Sequence, residues 1–253
     1  MKYVLQAACG CHTGKVRKNN EDNFYFDGKC LEQVNYGLKH PVSYECTLRH
    51  GVCLAVFDGM GGENFGEIAS FSAARSMQQT EKRFADFFVP EKRYLERMTQ
   101  QLNDAVRQEQ VKMCTDKMGT TVVGFYFAGK YIYVFNVGDS RAYRLRNGEF
   151  LQLSLDHIEK RPGRDAKKAP LTQYLGVADE DMEIEPYIAK GEVCKDDVYL
   201  LCSDGLTDML TNFEISDIML NNQDAESCVD ALIQAALEHG GRDNITAIVC
   251  RLM

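Results

Sequence analysis

The sequence lacks any long hydrophobic run. No stretch reaches the roughly 18 apolar residues that a membrane helix needs, and the apolar start, Met1–Ala8, is too short for a signal peptide. An excess of positive charge is also absent, because 29 Lys and Arg stand against 37 Asp and Glu for a net charge of −8. An acidic chain does not have the electrostatic footprint of a nucleic-acid or anionic-membrane binder. We therefore expect a soluble protein that binds neither nucleic acid nor membrane.

The ten cysteines do not have the spacing of a disulfide framework. They are scattered through apolar runs and loops, which favours reduced thiols and a cytoplasmic location. The segment Cys9–His12 carries two cysteines and a histidine, but no second Cys/His pair follows at the spacing of a zinc site, so packing is the better interpretation. The sequence also lacks a convincing Ser/His/Asp or reactive-cysteine constellation, and we expect no nucleophilic side chain.

An apolar run that ends in a carboxylate and a glycine-rich turn is found at Val52–Gly62. A continuous run of this length is typical of a strand covered on both faces, and the glycines allow a sharp turn after Asp58. Alone, an Asp-Gly pair is ordinary turn chemistry. The pattern recurs at three other predicted strand ends: Tyr131–Val137 with Gly138-Asp139, Val198–Ser203 with Asp204-Gly205, and Gly240–Asn244 before Ile245–Cys250.

Carboxylates that gather at the ends of strands repel one another. Their pKa values rise unless hard divalent cations lie between them. Since four predicted strand ends each place an aspartate beside a glycine, we expect Asp58, Asp139, Asp204 and Asp243 to converge on a metal site.

A polar tract with Arg17 and Glu21 comes just before the aromatic segment Phe24–Phe26. A guanidinium there can clamp a phosphate through two hydrogen bonds, and a carboxylate can join a metal site. The alternative is that both are solvated surface charges, and these two residues alone do not decide between the two interpretations. From Gly28 to Gly51 the sequence is irregular and indicates a hairpin or a loop excursion.

Apolar residues at helical spacing mark two segments after the first glycine cluster, Phe65–Met77 and Leu95–Met113. Pro90 separates them, so we predict an antiparallel helix pair across a sheet face. An antiparallel meander follows, with a type I′ turn at Asn147-Gly148. The other predicted elements are strands at Tyr3–Cys9, Val122–Phe127, Tyr131–Val137, Ala142–Leu145, Phe150–Leu153, Met182–Ile188, Val198–Ser203 and Ile245–Arg251, and a helix at Glu214–His239.

This order of elements predicts an α+β fold with two packed antiparallel sheets and helices on the outside. No internal repeat, low-complexity segment or linker interrupts the chain. A length of 253 residues suits one large domain, and we predict a single domain over residues 1–253.

Several short motifs occur in one order over nearly the whole length. They are Arg17 with Glu21-Asp22, Phe57–Gly62, Gly119–Thr121, Asn136–Ala142, Ser203–Gly205 and Asp243-Asn244. With them the chain resembles the metal-dependent protein serine/threonine phosphatases of the type 2C family, in their compact bacterial form. Each motif is weak by itself, but the ordered set is highly specific. The resemblance implies a central antiparallel β-sandwich flanked by helix pairs, in four layers αββα, with a binuclear metal centre where the sheets open.

The resemblance also implies a cofactor of two manganese or magnesium ions and a role for each site residue. In that family, paired divalent ions activate water for attack on phosphorus and neutralise phosphoryl charge, and oxygen-only ligands favour these metals over zinc. The resemblance implies that Asp58 would bridge both ions and that the backbone carbonyl of Gly59 would bind one of them. Glu21 would complete the shell of one ion, and Asp204 and Asp243 would bind the other. Asp22 would hold metal-bound water, Arg17 would grip the substrate phosphate, and Asp139 would help to bind a third, weaker ion.

One departure from the family pattern concerns the general acid. Position 60 is Met, where many relatives carry a histidine proposed to protonate the leaving alkoxide, and Glu63 follows the glycines where other bacterial relatives often place one. The general acid is therefore unassigned. Metal-bound water can serve, and His12 or His157 can serve only if the fold brings it close.

A second departure is the short tract between His157 and Leu171, a reduced flap where relatives carry a longer one over the cleft. The resemblance places this tract at the rim of the metal cleft. Two interpretations remain, a solvated loop or a positive surface that steers acidic phosphopeptides toward the metals. Its five basic residues are Lys160, Arg161, Arg164, Lys167 and Lys168.

Three functions from different classes remain. We favour a signalling hydrolase that removes phosphate from serine and threonine in proteins, because every expected metal position holds the right residue type. The alternative is a two-metal phosphoesterase that acts on small phosphorylated metabolites. A non-catalytic relative would have lost one of the ligands Glu21, Asp58, Asp204 and Asp243, and none is lost. We expect phosphoprotein substrates, a cognate serine/threonine kinase, and a cytoplasmic monomer.

Overall fold

The computed structural model describes residues 3–48, 51–60, 65–81, 89–159, 169–178 and 182–253. In chain order the strands are β1 (Val4–His12), β2 (Asp22–Tyr25), β3 (Val42–Thr47), β4 (Val52–Met60), β5 (Gly119–Thr120), β6 (Val122–Ala128), β7 (Tyr131–Val137), β8 (Arg141–Arg146), β9 (Glu149–Gln152), β10 (Tyr187–Glu192), β11 (Val198–Cys202) and β12 (Ile245–Leu252). The helices are α1 (Gly66–Glu81), α2 (Glu91–Met113), α3 (Asp204–Thr207), α4 (Asn212–Asn221) and α5 (Ala225–Glu238).

Two antiparallel sheets pack face to face. The first has the order β3-β1-β12-β11-β8-β9, and the second has the order β10-β7-β6-β4-β2 with β5 paired to β4. Buried apolar side chains from both sheets fill the space between them. Among them the rings of Phe125 and Tyr199 meet edge to face, with centroids 5.6 Å apart. This is the predicted β-sandwich.

Helices cover the outer face of each sheet. On the second sheet, α1 and α2 contribute a buried cluster in which Leu95, Leu102 and Val106 of α2 lie at the predicted helical spacing. On the first sheet, α5 packs Val229 and Leu232 against the outer side of β1 and β12. The four layers αββα confirm the predicted fold class.

The long helix predicted over Glu214–His239 is wrong, because two helices, α4 and α5, occupy this stretch. A capping box starts α4, where the Thr211 hydroxyl accepts from the backbone N–H of Glu214 and the Glu214 carboxylate accepts from the N–H of Thr211. The side chain of Asp224 then caps α5 by accepting from the N–H of Ser227 at 2.8 Å. Each cap satisfies N–H groups that a continuous helix would bond internally.

Other boundaries also differ from the prediction. The strand expected near Met182–Ile188 lies later, at β10, and the irregular segment after Gly28 contains β3, an edge strand that pairs with β1. The type I′ turn is confirmed, since Asn147 and Gly148 have φ angles of 51° and 81°.

Several predicted features lie in stretches beyond the described residues. The glycine cluster at Gly61 and Gly62, the neighbouring Glu63 and the five basic residues of the flap tract lie outside them. At the base of the flap tract, Ile158 and Leu171 form an antiparallel bridge. Within the described residues no helix has both the length and the apolar content required to cross a membrane.

Candidate active site

Four of the predicted site carboxylates lie at one end of the sandwich. Asp22 and Asp58 are direct cross-strand partners on β2 and β4 of the second sheet. In the first sheet Asp204 follows β11 and Asp243 precedes β12, and these two strands pair antiparallel, so both residues lie at the same end. Two residues from each sheet therefore meet where the sheets open.

Asp22 is a buried link between the two sheets. Its Oδ2 accepts hydrogen bonds from the hydroxyls of Ser203 and Thr246, each at 2.7 Å. Burial raises the pKa of Asp22 to about 7, the two hydroxyls oppose that rise, and the charges of Asp204 and Asp243 add to it. The hydroxyl partners were not predicted from the sequence.

Asp58 and Asp204 share the same unfavourable electrostatics. Burial raises the pKa of Asp58 well above its usual range, and the charge of Asp204 is the next cause. Burial also raises the pKa of Asp204 to about 7, followed by the charges of Asp139 and Asp243, while a hydrogen bond with Asp58 lowers it. These groups resist being ionised together without a counter-charge.

Two threonines, the last residue of β5 and the one after it, hold the backbone of Asp58. The N–H of Asp58 donates to the hydroxyl of Thr121 at 3.1 Å, and the carbonyl of Asp58 accepts from the hydroxyl of Thr120 and the N–H of Thr121, both at 2.9 Å. The sequence motif contained both threonines without suggesting this role.

Gly59 lies where the Glu21 loop and α1 approach β4. Its N–H donates to the carbonyl of Glu21 at 3.1 Å. A Cβ at Gly59 would overlap the carbonyl oxygen of Gly66, the first residue of α1, so only glycine fits here. Burial raises the pKa of the Glu21 carboxyl, and a hydrogen bond from Asn19 opposes the shift.

Arg17 is half-exposed at the mouth of the carboxylate cluster. Its guanidinium donates to Oδ2 of Asp243 at 2.6 Å. This hydrogen bond is the largest cause of a raised pKa for Arg17, to which the charges of Asp243, Glu21 and Asp58 also contribute. The guanidinium therefore faces the same group of carboxylates that was predicted to bind cations.

Asp139 has different ionic neighbours from the four clustered aspartates. It is mostly buried, and burial is the main cause of its raised pKa, to which the charge of Asp156 adds while that of Arg141 opposes it. Arg141 itself is paired with Asp156 at 2.6 Å. Asp139 thus influences Asp58 and Asp204 through its charge, from a separate set of ionic neighbours.

Both candidate histidines use Nδ1 to accept a backbone hydrogen bond. His12 accepts from Gly14 at 2.8 Å, and His157 accepts from Gly138 at 3.1 Å. Burial lowers the pKa of each ring, and both are neutral near pH 7. Neither contact assigns a general acid, which stays unassigned.

The donor set of this cluster fits hard divalent cations. Carboxylates and a glycine carbonyl are oxygen ligands, and a cation would relieve the charge repulsion that raises the pKa values of Asp22, Asp58 and Asp204. Across the residues that the structure describes, no three Asp, Glu, His or Cys side chains already surround one point at ligand distance. Asp243 bonds to Arg17, so binding of a cation at Oδ2 of Asp243 requires this side chain to exchange partners.

Comparison with known proteins identifies the family. A family model described as protein phosphatase 2C matches residues 43–249. The chain belongs to the protein phosphatase 2C family. The serine/threonine phosphatase stp of Listeria innocua is 30% identical to it over 251 residues, which cover 93% of this chain and 91% of that protein. The serine/threonine protein phosphatase PstP of Mycobacterium tuberculosis is 31% identical over 97% of this chain, which spans 45% of that longer protein.

Solved structures of similar proteins share the fold of this phosphatase 2C chain. The catalytic domain of PstP in complex with two manganese ions has a TM-score of 0.79 and 27% identity, with 99% of each chain covered. PppA, described as a key regulatory component of T6SS in Pseudomonas aeruginosa, has a TM-score of 0.77 and 28% identity, with 99% of this chain and 100% of that chain covered. The predicted family and enzyme class, a protein serine/threonine phosphatase, are confirmed. The predicted manganese or magnesium cofactor is confirmed for the family by the PstP structure.

Proposed function

We propose that this phosphatase 2C chain hydrolyses phosphoserine and phosphothreonine in proteins with water activated at a binuclear manganese or magnesium centre. The observation that carries the proposal is the meeting of Asp22, Asp58, Asp204 and Asp243 where the sheets open, with raised pKa values for the first three. Folding to bury this much like charge is unfavourable unless cations compensate it.

The residues of the cluster divide into ligands and supports. Two bound ions would supply an activated water and neutralise charge on the transferring phosphoryl group. We assign Asp58 to both ions, Glu21 and the Gly59 carbonyl to one, Asp204 and Asp243 to the other, and Asp139 to a weaker third. Asp22, whose Oδ2 is held by two hydroxyls, orients water beside the ions.

Arg17 binds the substrate phosphate in this proposal. Its side chain is 47% exposed, so an incoming phosphate can reach it from solvent. A guanidinium presents paired donors that match a phosphate in a planar, bidentate way. When the phosphate takes this guanidinium, Oδ2 of Asp243 loses its partner and becomes available to a cation, while Oδ1 still accepts from the N–H of Asn244 at 2.9 Å.

The partners and the location follow from the same proposal. Protein substrates phosphorylated on serine or threonine require a cognate kinase, and we place both enzymes in one signalling system. All ten cysteines are unpaired, six of them buried, as in a reducing cytoplasm. We propose that the chain acts there as a monomer.

A substrate panel with and without metal tests the proposed function. Purified protein should hydrolyse phosphoserine and phosphothreonine peptides with Mn²⁺, lose that activity with a chelator, and process phosphorylated sugars or nucleotides far more slowly. Asp58→Asn serves as the inactive control for contaminating phosphatases. A preference for small phosphorylated metabolites would support the alternative phosphoesterase instead, and hydrolysis that persists in chelator would overturn the metal mechanism.

A further inference from the structure

Asn244 makes three hydrogen bonds that its motif did not predict. Its Oδ1 accepts from the N–H of Glu21 at 2.7 Å, and its Nδ2 donates to the carbonyls of Thr13 at 2.8 Å and Asn19 at 3.0 Å. The side chain is buried, with 3% of its surface exposed. One amide therefore uses both of its ends on a single loop.

That loop connects β1 to β2 and carries Arg17. We call residues 13–21 the clamp loop. The partners of Asn244 lie on both sides of Arg17, near the start of the clamp loop and at its end. Another described backbone tie joins Lys15 to the carbonyl of Gly241 at 2.7 Å. Much of the loop lies outside any strand ladder, and the Asn244 amide supplies three of the hydrogen bonds that order it, beside those of Arg17 and Asn20.

The backbone beside Asn244 is packed tightly on two sides. A Cβ at Gly14 would overlap the carbonyl oxygen of Asp243, and Gly14 also has a φ angle of 84° that other residues rarely adopt. A Cβ at Gly205 would overlap the carbonyl oxygen of Asn244. The backbone of Asp243 and Asn244 thus packs between the clamp loop and the start of α3, which begins at Asp204.

We infer that Asn244 is a positioning residue that holds the clamp loop against Asp243. It thereby places Arg17 and Glu21 in the correct position relative to the carboxylates of the first sheet. The amide contacts neither the substrate nor an ion in this scheme. It acts through the backbone, and its loss leaves every ligand and the guanidinium present but poorly aligned. The inference rests on the proposed function for its effect on catalysis, but its structural part stands without it.

Hydrogen exchange and metal binding test the inference directly. In Asn244→Ala, amide exchange across residues 13–21 should quicken in the metal-free protein, with β12 and α5 unchanged. Mn²⁺ affinity measured by calorimetry should fall about 10–100-fold, the usual cost of losing a group that orients metal ligands. The KM for a phosphopeptide should rise as well, because Arg17 is no longer held in place.

A matched control separates alignment from general destabilisation. Asn103 on α2 is also a fully buried amide with three backbone bonds, to the N–H groups of Gly176 and Val177 and to the carbonyl of Val177. Asn103→Ala should lower the melting temperature without changing Mn²⁺ affinity or exchange in the clamp loop. If Asn103→Ala weakens Mn²⁺ binding as much as Asn244→Ala does, the inference is overturned.

A second substitution keeps the test informative if Asn244→Ala does not fold. Asn244→Asp retains an acceptor for the N–H of Glu21 but turns an oxygen toward the carbonyls of Thr13 and Asn19. Exchange should then quicken around Thr13 and Asn19 while the Glu21 amide stays protected. Wild-type exchange throughout the clamp loop in both variants would refute the positioning role. Because exchange and Mn²⁺ binding need no substrate, they decide the inference even if the wild-type protein hydrolyses no phosphopeptide.

Discussion

The guanidinium of Arg17 donates to the carboxylate of Asp243 at 2.6 Å, so a predicted phosphate clamp and a predicted metal ligand are partners in this structure. Their side chains are 47% and 35% exposed. Exposed ion pairs of this kind contribute only about 0–1 kcal/mol to stability. The pair is therefore easily exchanged for a phosphate on one side and a cation on the other.

Arg17→Ala should raise KM for a phosphopeptide more than it lowers kcat. Removing a phosphate clamp weakens the ground state and the transition state alike. The same variant should bind Mn²⁺ no more weakly than wild type, because it frees Asp243 from a competing cation. Steady-state kinetics and calorimetry measure the two effects. A pure kcat defect with unchanged KM would reassign Arg17 to transition-state chemistry.

Asp243→Ala and Asp204→Ala should weaken Mn²⁺ binding, unlike Arg17→Ala. Each removes a proposed ligand, so Mn²⁺ affinity and phosphatase activity should fall together. Titration of Mn²⁺ into each variant, with circular dichroism as a check on folding, makes the comparison. Unchanged metal titrations in both variants would break the binuclear assignment.

Asp58→Asn should abolish activity and make the metal-free protein more stable. The amide removes a carboxyl whose pKa is raised by burial and by Asp204, Asp22, Asp139 and Asp243, so less like charge is buried. A gain of about 1 kcal/mol corresponds to a rise of roughly 2–4 °C in melting temperature for a protein of this size. Calorimetry in chelator measures the shift. A lower melting temperature, or activity close to that of wild type, would contradict the role given to Asp58.

The sequence could predict that carboxylates meet at one end of the fold because Asp58, Asp139 and Asp204 follow apolar runs and Asp243 precedes one. The run before Asp58 forms most of β4, and the run before Asp204 forms β11, as expected. Which carboxylates face each other depends on the order of strands within each sheet. The direct pairing of Asp22 with Asp58 needs the β2–β4 ladder, which no local pattern specifies.

The supporting contacts could not be predicted for the same reason. Asn244 bonds to Glu21 across 223 positions of sequence, and Thr246 bonds to Asp22 across 224. A polar residue next to a strand has an ordinary turn role in most chains, so its partner appears only when both sheets are in place. The break between α4 and α5 was more accessible, since Asp224 precedes Ser227 as a capping residue does. The single-domain boundary stays a prediction.

The metal-free protein should be less stable at neutral pH than at mildly acidic pH. The pKa values of Asp22 and Asp204 are both raised to about 7, mainly by burial. Since unfolded aspartate titrates near pH 3.9, the folded chain holds more protons between about pH 4 and 7, and its stability falls as pH rises through that window. Thermal melts in chelator at about pH 5 and pH 8 should show the higher melting temperature at the lower pH.

Two controls sharpen this pH test. Saturating Mn²⁺ should remove most of the loss at the higher pH, because the cations compensate the ionised carboxylates. Asp22→Asn should flatten the pH dependence of the metal-free protein, because one of the two raised carboxyls is gone. A metal-free protein whose melting temperature increases steadily from the lower pH to the higher would show that these carboxyls are not strained in the folded state.

Gly59→Ala should disrupt both the fold around the site and metal binding. The new methyl group would overlap the carbonyl oxygen of Gly66, and these are backbone atoms that cannot rotate away. Overpacking of this kind costs typically about 1–3 kcal/mol, and the strain falls on the strand that carries Asp58.

Gly191→Ala is the matched control, since Gly191 also lies in a strand and a Cβ there would make only an ordinary contact with Ile132 at 3.6 Å. Melting temperature and Mn²⁺ affinity should both drop in Gly59→Ala and stay near wild type in Gly191→Ala. Equal behaviour of the two variants would mean that α1 can move away from β4, and that the approach of the helix to Gly59 is not needed to present its carbonyl.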